Sequence, residues 1–283
     1  MHARQLLAAL IFVPLVALAQ DARPIEEVPY IRTPQAVVDK MLELAGVRGT
    51  DFLIDLGSGD GRVVITAAKR YGARGLGVEL DSNLVAEATR RAKEAGVADR
   101  VSFEERDLFG VDLRPATVVT MYLLPEYNLR LRPKLLAQLR PGARVVSHDW
   151  DMGDWQRDLK AEIPVPEKPV GLLKSSNVYV WIVPARLEGR WSFAVAEGTT
   201  LELAEAHFEQ KFQELGGTLH IGARSLPIER GVIHGSSLSF RVEDGGETIR
   251  FVGNATSDRI EGRIARGGGP DRPWRALREA GGS

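Results

Sequence analysis

The chain is organised around residues 51–81, DFLIDLGSGDGRVVITAAKRYGARGLGVELD. This stretch begins with an apolar run at residues 52–56, passes through a glycine-dense turn at residues 57–61, and then has the pattern of a helix start. A second apolar run opens at Gly75 and is closed by the acidic Glu79. Strand, tight turn, helix and strand in this order predict the first half of a doubly wound nucleotide-binding sheet.

The glycines of the turn have a physical reason. A turn this tight needs positive backbone dihedrals, which glycine tolerates because it has no Cβ. Without side chains, a ligand can also approach the main chain at the helix N-terminus, where its carboxylate or phosphate is stabilised. Glu79 lies 22 positions after Gly57, near the ~20 expected of a carboxylate that binds ribose hydroxyls. A nucleoside-containing cofactor is therefore predicted.

Two residues indicate which nucleoside-containing cofactor is bound. The dinucleotide fingerprint expects a third glycine five positions after Gly57, but that position is Arg62. Asp55 adds a carboxylate that would repel a pyrophosphate and attract an ammonium and a sulfonium. S-adenosylmethionine (SAM) carries both cations, so it is favoured over a nicotinamide or flavin dinucleotide, and over a glycine-rich turn in some other α/β protein.

At these residues the chain resembles class I SAM-dependent methyltransferases. DLGSGDGRVV at residues 55–64 and GVELD at residues 77–81 are similar to motif I and its partner acidic loop. Tyr30-x-x-Thr33-Pro34 and Asp107-Leu108-Phe109 resemble one subgroup, the mitochondrial lysine methyltransferases of the ATP synthase c-subunit and the adenine nucleotide translocase, with their bacterial relatives. The resemblance covers residues 28–148 and implies a Rossmann-like seven-stranded sheet that uses SAM.

The resemblance also implies which residues hold the cofactor. Asp107 matches the acidic residue that accepts from the adenine amino group, and Tyr30 and Thr33 lie in a segment that closes over SAM. A packing tyrosine and a threonine that caps the helix beginning at Pro34 explain the last two residues equally well. The expected cofactor-binding set is Tyr30, Thr33, Asp55, Gly57, Ser58, Gly59, Gly61, Glu79, Leu80, Asp107 and Leu108.

Composition narrows the class of protein. The 283 residues are 44% hydrophobic and 27% charged, with a formal net charge of −1, which is ordinary for a globular protein. No basic surface for nucleic acid is expected from this balance. The absence of cysteine excludes thiolate metal sites, thiol catalysis and disulfides.

The first residues have the pattern of a secretory signal peptide. Arg4 precedes an unbroken apolar run at residues 6–19, and Ala17-Leu18-Ala19 forms an A-x-A cleavage site. We expect residues 1–19 to direct export to the periplasm and to be cleaved, so that no membrane span remains. The alternatives are an uncleaved membrane anchor or a mis-assigned start codon of a cytoplasmic protein.

Further strands are predicted at residues 101–103, 117–122 and 143–147, and a closing hairpin at residues 160–165 and 177–183. The ends of two of these strands gather carboxylates and aromatic rings at the carboxyl edge of the sheet, where ligands bind. The catalytic candidates are Tyr122, Glu126, Asp149 and Asp151. His148 and Asp149 fit no defined metal-site spacing, so no metal is expected.

The charge of this edge predicts the methyl acceptor. Acidic groups attract a cation, and aromatic faces hold it, so a protein lysine or another small amine is expected as substrate. A lysine must first lose a proton, because its free pKa is ~10.4. A different class of function stays open, namely an exported SAM-binding or partner-binding module without turnover.

Composition shifts after Pro184, where glycines recur between short alternating runs. This pattern predicts an antiparallel meander that forms a small barrel or half-barrel. Residues 204–215 fit a helix as well as a strand, and their surroundings favour the strand. The expected organisation is a signal peptide at 1–19, a SAM-binding domain at 20–185, an antiparallel β domain at 186–266 and a mobile tail at 267–283.

Overall fold

The computed structural model describes residues 30–168, 173–197 and 200–279. The expected signal peptide at residues 1–19 lies outside the described residues. Within the described ranges, none of the helices combines the length and the apolar character needed to cross a membrane.

Strands β1 to β7 form a seven-stranded sheet, which confirms the predicted methyltransferase-type sheet. Its strand order is β3-β2-β1-β4-β5-β7-β6, and β7 alone runs antiparallel to its neighbours. The chain order reverses between β1 and β4, which places a ligand crevice at their carboxyl ends. The strands are β1 (Phe52–Leu56), β2 (Arg74–Glu79), β3 (Val101–Glu105), β4 (Val118–Met121), β5 (Arg144–His148), β6 (Leu159–Pro164) and β7 (Ser175–Ile182).

Four helices cover the two faces of this sheet: α1 (Gln35–Leu44), α2 (Arg62–Tyr71), α3 (Ser82–Glu94) and α4 (Pro125–Gln138). Successive residues of β1 point to opposite faces. Leu53 therefore packs in the cluster with α1 and α2, whereas Ile54 and Leu56 pack in the cluster with α4. The sheet is thus buried on both sides, as parallel strands require.

The predicted helix cap at Thr33 is wrong. The N-cap position of α1 is Pro34, and no side chain caps the helix. The Thr33 hydroxyl instead lies 3.2 Å from Nδ1 of His148, at the end of β5. A buried hydrogen bond to a distant strand has replaced the local one. The N-cap residue of α3 is Asp81, whose carboxylate accepts from the backbone N–H of Asn83.

Residues 189–278 form an antiparallel β barrel. Its strands are β8 (Gly189–Glu197), β9 (Thr200–Lys211), β10 (Glu214–Ile221), β11 (Arg224–Pro227), β12 (Glu229–His234), β13 (Ser237–Asp244), β14 (Glu247–Ala255), β15 (Arg259–Arg266) and β16 (Arg272–Arg278). The sheet order ends in β16-β8-β9, and β9 also pairs with β10. Eight strands therefore close on themselves, while β11 is added outside on β10. The strand prediction for residues 204–215 is confirmed, since they form β9 and the start of β10.

The prediction of a mobile tail from residue 267 is wrong for the segment Arg272–Arg278. This segment is strand β16, which pairs with β15 and with β8. Trp274 is only 3% exposed, and Ala276 is buried beside it. The strand completes the barrel, so the β domain extends past the expected boundary at residue 266. Residues 280–283 lie outside the described residues.

The barrel contacts the first sheet through the turn between β9 and β10. Phe212 adopts a positive φ of 55°, and its ring stacks on Trp155 with centroids 6.0 Å apart. Gln213 donates from Nε2 to the carbonyl of Gln156 at 2.7 Å. The turn therefore packs against the loop that follows β5, which carries the predicted acceptor residues.

Candidate active site

The glycine turn after β1 is held against the end of β2. The backbone N–H groups of Gly57 and Ser58 both donate to the carbonyl of Val78 at 2.9 Å. Gly61 has φ +76°, and a Cβ there would lie 2.6 Å from Cζ of Phe103. No larger residue fits this position without displacing the ring. The loop thus has the left-handed backbone that the sequence indicated, and Gly61 also leaves room for the Phe103 ring.

Glu79 binds the same loop from the end of β2. Its Oε2 accepts from the N–H of Gly59 at 2.9 Å, and its Oε1 accepts from the N–H of Leu80 at 2.8 Å. These bonds hold the carboxylate beside the glycine turn, where a ribose diol would meet it. The Leu80 side chain is exposed next to it.

Asp107 lies at the carboxyl end of the neighbouring strand β3. Its Oδ1 accepts from the N–H of Phe109 at 2.9 Å, which caps the short 3-10 helix Leu108–Gly110. Leu108 is buried beneath this turn. Glu79 and Asp107 therefore occupy adjacent strand ends, as a ligand with a ribose and an adenine requires. Tyr30, at the start of the described chain, is exposed.

Asp55 is buried in β1, with its Oδ1 accepting from the Thr120 hydroxyl at 2.6 Å. Burial raises the pKa of its carboxyl to about 7, and the negative charges of Glu79 and Asp60 add to the rise against the opposing Thr120 hydrogen bond. A cation placed beside such a buried carboxyl stabilises its charged form. The SAM ammonium is a cation of this kind.

The residues Asp55, Ser58, Glu79 and Asp107, which we call the cofactor cradle, fit SAM. The hydroxyl of Ser58 is buried and has no hydrogen-bond partner among the described residues, in a turn where a ligand would supply one. A Cβ on Gly57 would lie 3.1 Å from the Leu123 side chain, so the glycine leaves room beside the strand ends. Asp55, Glu79 and Asp107 offer acceptors to an ammonium, a ribose and an adenine amino group, respectively.

An ion-pair cluster at Asp60 supports the turn, and sequence reasoning missed it. Asp60 is 1% exposed and accepts two bonds from Arg62, at 2.9 and 2.7 Å, while Arg91 contacts the same carboxylate. Burial alone would raise the pKa of Asp60, but Arg62 and Arg91 lower it to about 2. Arg62 also donates to the carbonyl of Thr33 at 2.7 Å. The residue that departs from the dinucleotide fingerprint thus ties the segment before α1 to the turn.

The predicted acceptor residues Tyr122 and Asp149 lie together at the ends of β4 and β5. The Tyr122 ring centroid is 3.8 Å from that of His148. Burial, followed by the negative charge of Asp149, raises the pKa of the Tyr122 phenol. Asp149 has φ +62°, so the backbone turns sharply at this point.

Asp149 is paired within the protein. Its Oδ1 accepts from the N–H of Asn177 at 2.9 Å, and its Oδ2 accepts from Nζ of Lys168 at 2.7 Å. The two charged side chains are 12% and 14% exposed. Lys168 is a site residue that sequence reasoning missed, because nothing near it in the sequence marks it as a partner of the loop after β5.

His148 is a buried, neutral link rather than a charged group. Its Nδ1 lies 3.2 Å from the Thr33 hydroxyl and its Nε2 lies 2.9 Å from the Ser176 hydroxyl. Burial lowers its pKa to about 4, with Lys168 adding to the effect and Asp149 opposing it. In the part of the chain that the structure describes, no group of three or more histidine or carboxylate side chains could hold a metal ion.

Glu126 and Asp151 present exposed carboxylates at the same edge. Glu126 lies in the first turn of α4, and Asp151 accepts from the N–H of Gly153 at 3.0 Å. Neither forms an ion pair with another described residue. Asp154, by contrast, is paired with Arg132 at 2.6 Å. Trp150, which precedes Asp151 in the chain, is 41% exposed.

Asn128 fixes the loop that carries Trp150 and Asp151. Its buried amide donates to the Ser147 hydroxyl at 3.1 Å and to the carbonyls of Trp150 and Asp151 at 3.2 and 3.3 Å. An amide on the buried face of a helix is a signal that could have identified it. The helix after β4 therefore positions the end of β5.

The raised pKa of Asp55 predicts how cofactor affinity depends on pH. The SAM ammonium needs the ionised carboxylate, so affinity should rise from pH 5.5 to about 7, where Asp55 loses its proton. Above roughly pH 8 it should fall again, because an α-amino group loses its own proton near ~7.7–8.0. Calorimetric titration of SAM across this range measures the profile.

The variant Asp55→Asn should lose the acidic limb of this profile, whereas Asp112→Asn should keep it. Asp112 is an exposed carboxylate paired with Arg114, and so it has no part in the cradle. An acidic limb that survives in Asp55→Asn would assign the titration to another group.

Comparisons with known proteins agree with this geometry. The family model of the ANTKMT methyltransferase domain matches residues 55–159. A protein-lysine N-methyltransferase of Saccharolobus islandicus (strain REY15A) is 45% identical over 132 residues, which are 46% of this chain and 82% of that protein. The adenine nucleotide translocase lysine N-methyltransferase of Mus musculus is 39% identical over 132 residues, 46% of this chain and 56% of that protein.

A solved structure supports the fold and the cofactor. It is described as an RNA methyltransferase from Salinibacter ruber in complex with S-adenosyl-L-homocysteine. It is 53% identical, covers 56% of this chain and 96% of its own chain, and has a TM-score of 0.51.

The seven-stranded sheet, the glycine turn and the carboxylates at the strand ends define a SAM-dependent methyltransferase. The chain belongs to the methyltransferase family that includes the archaeal protein-lysine N-methyltransferase. The matched family model ends at residue 159, before the barrel begins.

Proposed function

We propose that the chain transfers a methyl group from SAM to the ε-amino group of a lysine side chain on a protein. The observation that carries this proposal is the exposure of two carboxylates, Glu126 and Asp151, and of the Trp150 ring in the segments that follow β4 and β5. They follow β4 and β5 at the carboxyl edge of the sheet, next to the cofactor cradle. Acidic groups there attract an ammonium, and the ring stabilises it or its methylene stem.

The residues divide into cofactor and acceptor roles. SAM supplies a methyl carbon activated by its sulfonium, so the protein contributes mainly proximity and orientation. Asp55 and Glu79 bind and orient the cofactor, whereas Glu126 and Asp151 draw in the lysine and accept its proton directly or through water. Beside Tyr122, Asp149 already stabilises the ammonium of Lys168. The carboxyl edge of the sheet can therefore hold a lysine ammonium.

The names of the relatives support the same acceptor. The archaeal and mouse relatives are both described as lysine N-methyltransferases. The pattern of residues 1–19 supports export as a further part of the proposal.

A second candidate acceptor is RNA, because the Salinibacter ruber protein is described as an RNA methyltransferase. RNA binding depends on cationic groups available to phosphates. Two basic side chains of α4 already contact other groups of the protein: Arg130 lies 4.2 Å above the Phe109 ring, and Arg132 pairs with Asp154. With a net charge of −1 and exposed carboxylates at the edge, the chain favours lysine.

The proposal is tested with labelled SAM, the full chain and a mixture of protein and RNA. Label should be recovered as methyl-lysine after acid hydrolysis of the protein fraction. The double variant Glu126→Gln/Asp151→Asn should lower the transfer rate at least tenfold, because acceptor attraction and proton acceptance are both weakened, while SAM affinity stays unchanged.

The matched control is Glu94→Gln/Asp99→Asn, which removes two negative charges from exposed positions away from this edge. It should transfer at the rate of the unchanged chain. Label found in RNA nucleosides, or in base-labile esters, would overturn the lysine assignment.

A further inference from the structure

The closed barrel offers an interior that the methyltransferase chemistry does not use. An eight-stranded barrel is just wide enough either to be filled by side chains or to hold one small ligand. The middle of this barrel is filled by aromatic rings. Phe240 stacks on Phe251 with centroids 4.5 Å apart, and Phe193 stacks on Trp274 at 5.0 Å.

The two ends of the barrel differ. At one end, the turn after β9 carries Phe212, which packs on Trp155, and the turn after β12 carries Gly235, which lies against Gly142. Turns of an antiparallel barrel alternate between its ends. The turns after β13 and β15 therefore lie at the end remote from the methyltransferase sheet.

A cavity of about 200 Å³ opens at this remote end. Its wall is mainly apolar, and Glu247 and the segment from Gly269 to Arg272 place it at the turns after β13 and β15. The apolar lining residues include Phe193, Ala204, Leu219, Ile221, Ile249 and Ile264. Protein interiors rarely leave apolar space of this size unfilled.

The size of the cavity limits the ligand. An engineered apolar cavity of 150 Å³ in another protein binds benzene. A cavity about a third larger accepts a chain or ring system of roughly six to eight carbons by the same comparison.

Two arginine side chains lie at the rim of the cavity. Arg266 and Arg272 line it together with Glu247. Arg266 donates to Asp244 at 3.0 Å, and Asp244 also accepts from Arg224. Guanidinium groups at the rim can donate charge-assisted hydrogen bonds to an anionic head on the bound molecule.

We propose that the barrel binds a small amphipathic carboxylate, with its apolar body in the cavity and its carboxylate at Arg266 and Arg272. The site is separate from the cofactor cradle, because it lies at the barrel end that faces away from the methyltransferase sheet. A medium-chain fatty acid has this size and charge.

The test uses sodium octanoate as the probe in calorimetric titrations of the full chain. S-adenosyl-L-homocysteine is kept at saturation, so that binding in the cofactor cradle cannot contribute. We expect one octanoate per chain and a negative heat-capacity change, the mark of apolar burial. Octyltrimethylammonium, which has the same tail and the opposite charge, should bind at least tenfold more weakly.

Two variants locate the site. Arg266→Gln/Arg272→Gln should weaken octanoate binding at least tenfold, and Ala204→Phe should abolish it by filling the cavity. The control Arg275→Gln removes an exposed arginine from the same strand as Arg272 and should bind octanoate normally.

Three results would overturn the proposal. They are no octanoate binding by the unchanged chain, equal binding of the cationic probe, and full binding by the double arginine variant. The side chains of Arg266 and Arg272 lie at the rim rather than in the packed centre, so the double arginine variant should fold. It therefore still tests the proposal if Ala204→Phe fails to fold.

Discussion

Replacing Glu79 by alanine is expected to weaken SAM binding at least tenfold. The carboxylate is held beside the glycine turn by the N–H groups of Gly59 and Leu80, in position to accept from the ribose hydroxyls. Hydrogen bonds to a charged group contribute ~1.5–3 kcal/mol each, and the variant loses those to the ribose together with the bond that holds the turn. Calorimetric titration with SAM measures the loss.

The control for this variant is Glu94→Ala. Glu94 is exposed on α3 and pairs only with Arg90 in the described chain, so its removal should leave SAM affinity unchanged. A Glu79→Ala chain that folds normally and binds SAM as tightly as before would refute the assignment of Glu79.

A second variant, Glu79→Gln, removes the negative charge of the side chain and keeps nearly the same shape. The negative charge of Glu79 is one of the causes that raise the pKa of Asp55. Its removal should therefore move the acidic limb of the SAM affinity profile to lower pH. The same limb would stay in place if Glu79 and Asp55 did not interact.

Replacing Asp149 by asparagine is expected to destabilise the folded chain by about 3 kcal/mol, because it leaves the largely buried ammonium of Lys168 without its carboxylate. Urea unfolding of the unchanged and variant chains gives the free-energy difference. The control Asp154→Asn breaks the more exposed pairs to Arg132 and Lys211 and should cost less than about 1 kcal/mol.

The double variant Asp149→Asn/Lys168→Met should recover most of the lost stability, because no uncompensated charge remains. This chain then tests the predicted acceptor role of Asp149 apart from its structural one. If Asp149 faces the acceptor, the double variant should bind SAM normally and transfer methyl groups at least tenfold more slowly. Normal transfer by the stable double variant would restrict Asp149 to positioning Lys168 and the loop after β5.

The cofactor half of the site could be predicted from residues 51–81 because its causes are local. The positive dihedrals at Gly57 and Gly61 and the apolar run of β1 depend on residues close together in the chain. Glu79 then reaches the turn because β1 and β2 pair in parallel register, and a strand–turn–helix–strand sequence leaves few other arrangements. The seven-stranded sheet was expected from the resemblance of these residues to class I methyltransferases.

Strand β16 was not predictable, because its stability is not local. The glycine- and proline-rich turn before Arg272 has the composition of a mobile tail. The strand forms because β15 and β8 supply both of its pairing partners, and because Trp274 fills the barrel beside Phe193. Both partners come from elsewhere in the barrel.

The acceptor half of the site depends both on local sequence pattern and on tertiary structure. Local pattern placed Tyr122, Glu126, Asp149 and Asp151 at strand ends, but the partners of these side chains depend on sheet order and register. Lys168 lies 19 residues from Asp149, and Thr33 lies 115 residues from His148. Charge and hydrogen-bonding capacity are properties of each residue, whereas the pairing of two groups so far apart in the chain requires the folded sheet that brings them within 3.2 Å.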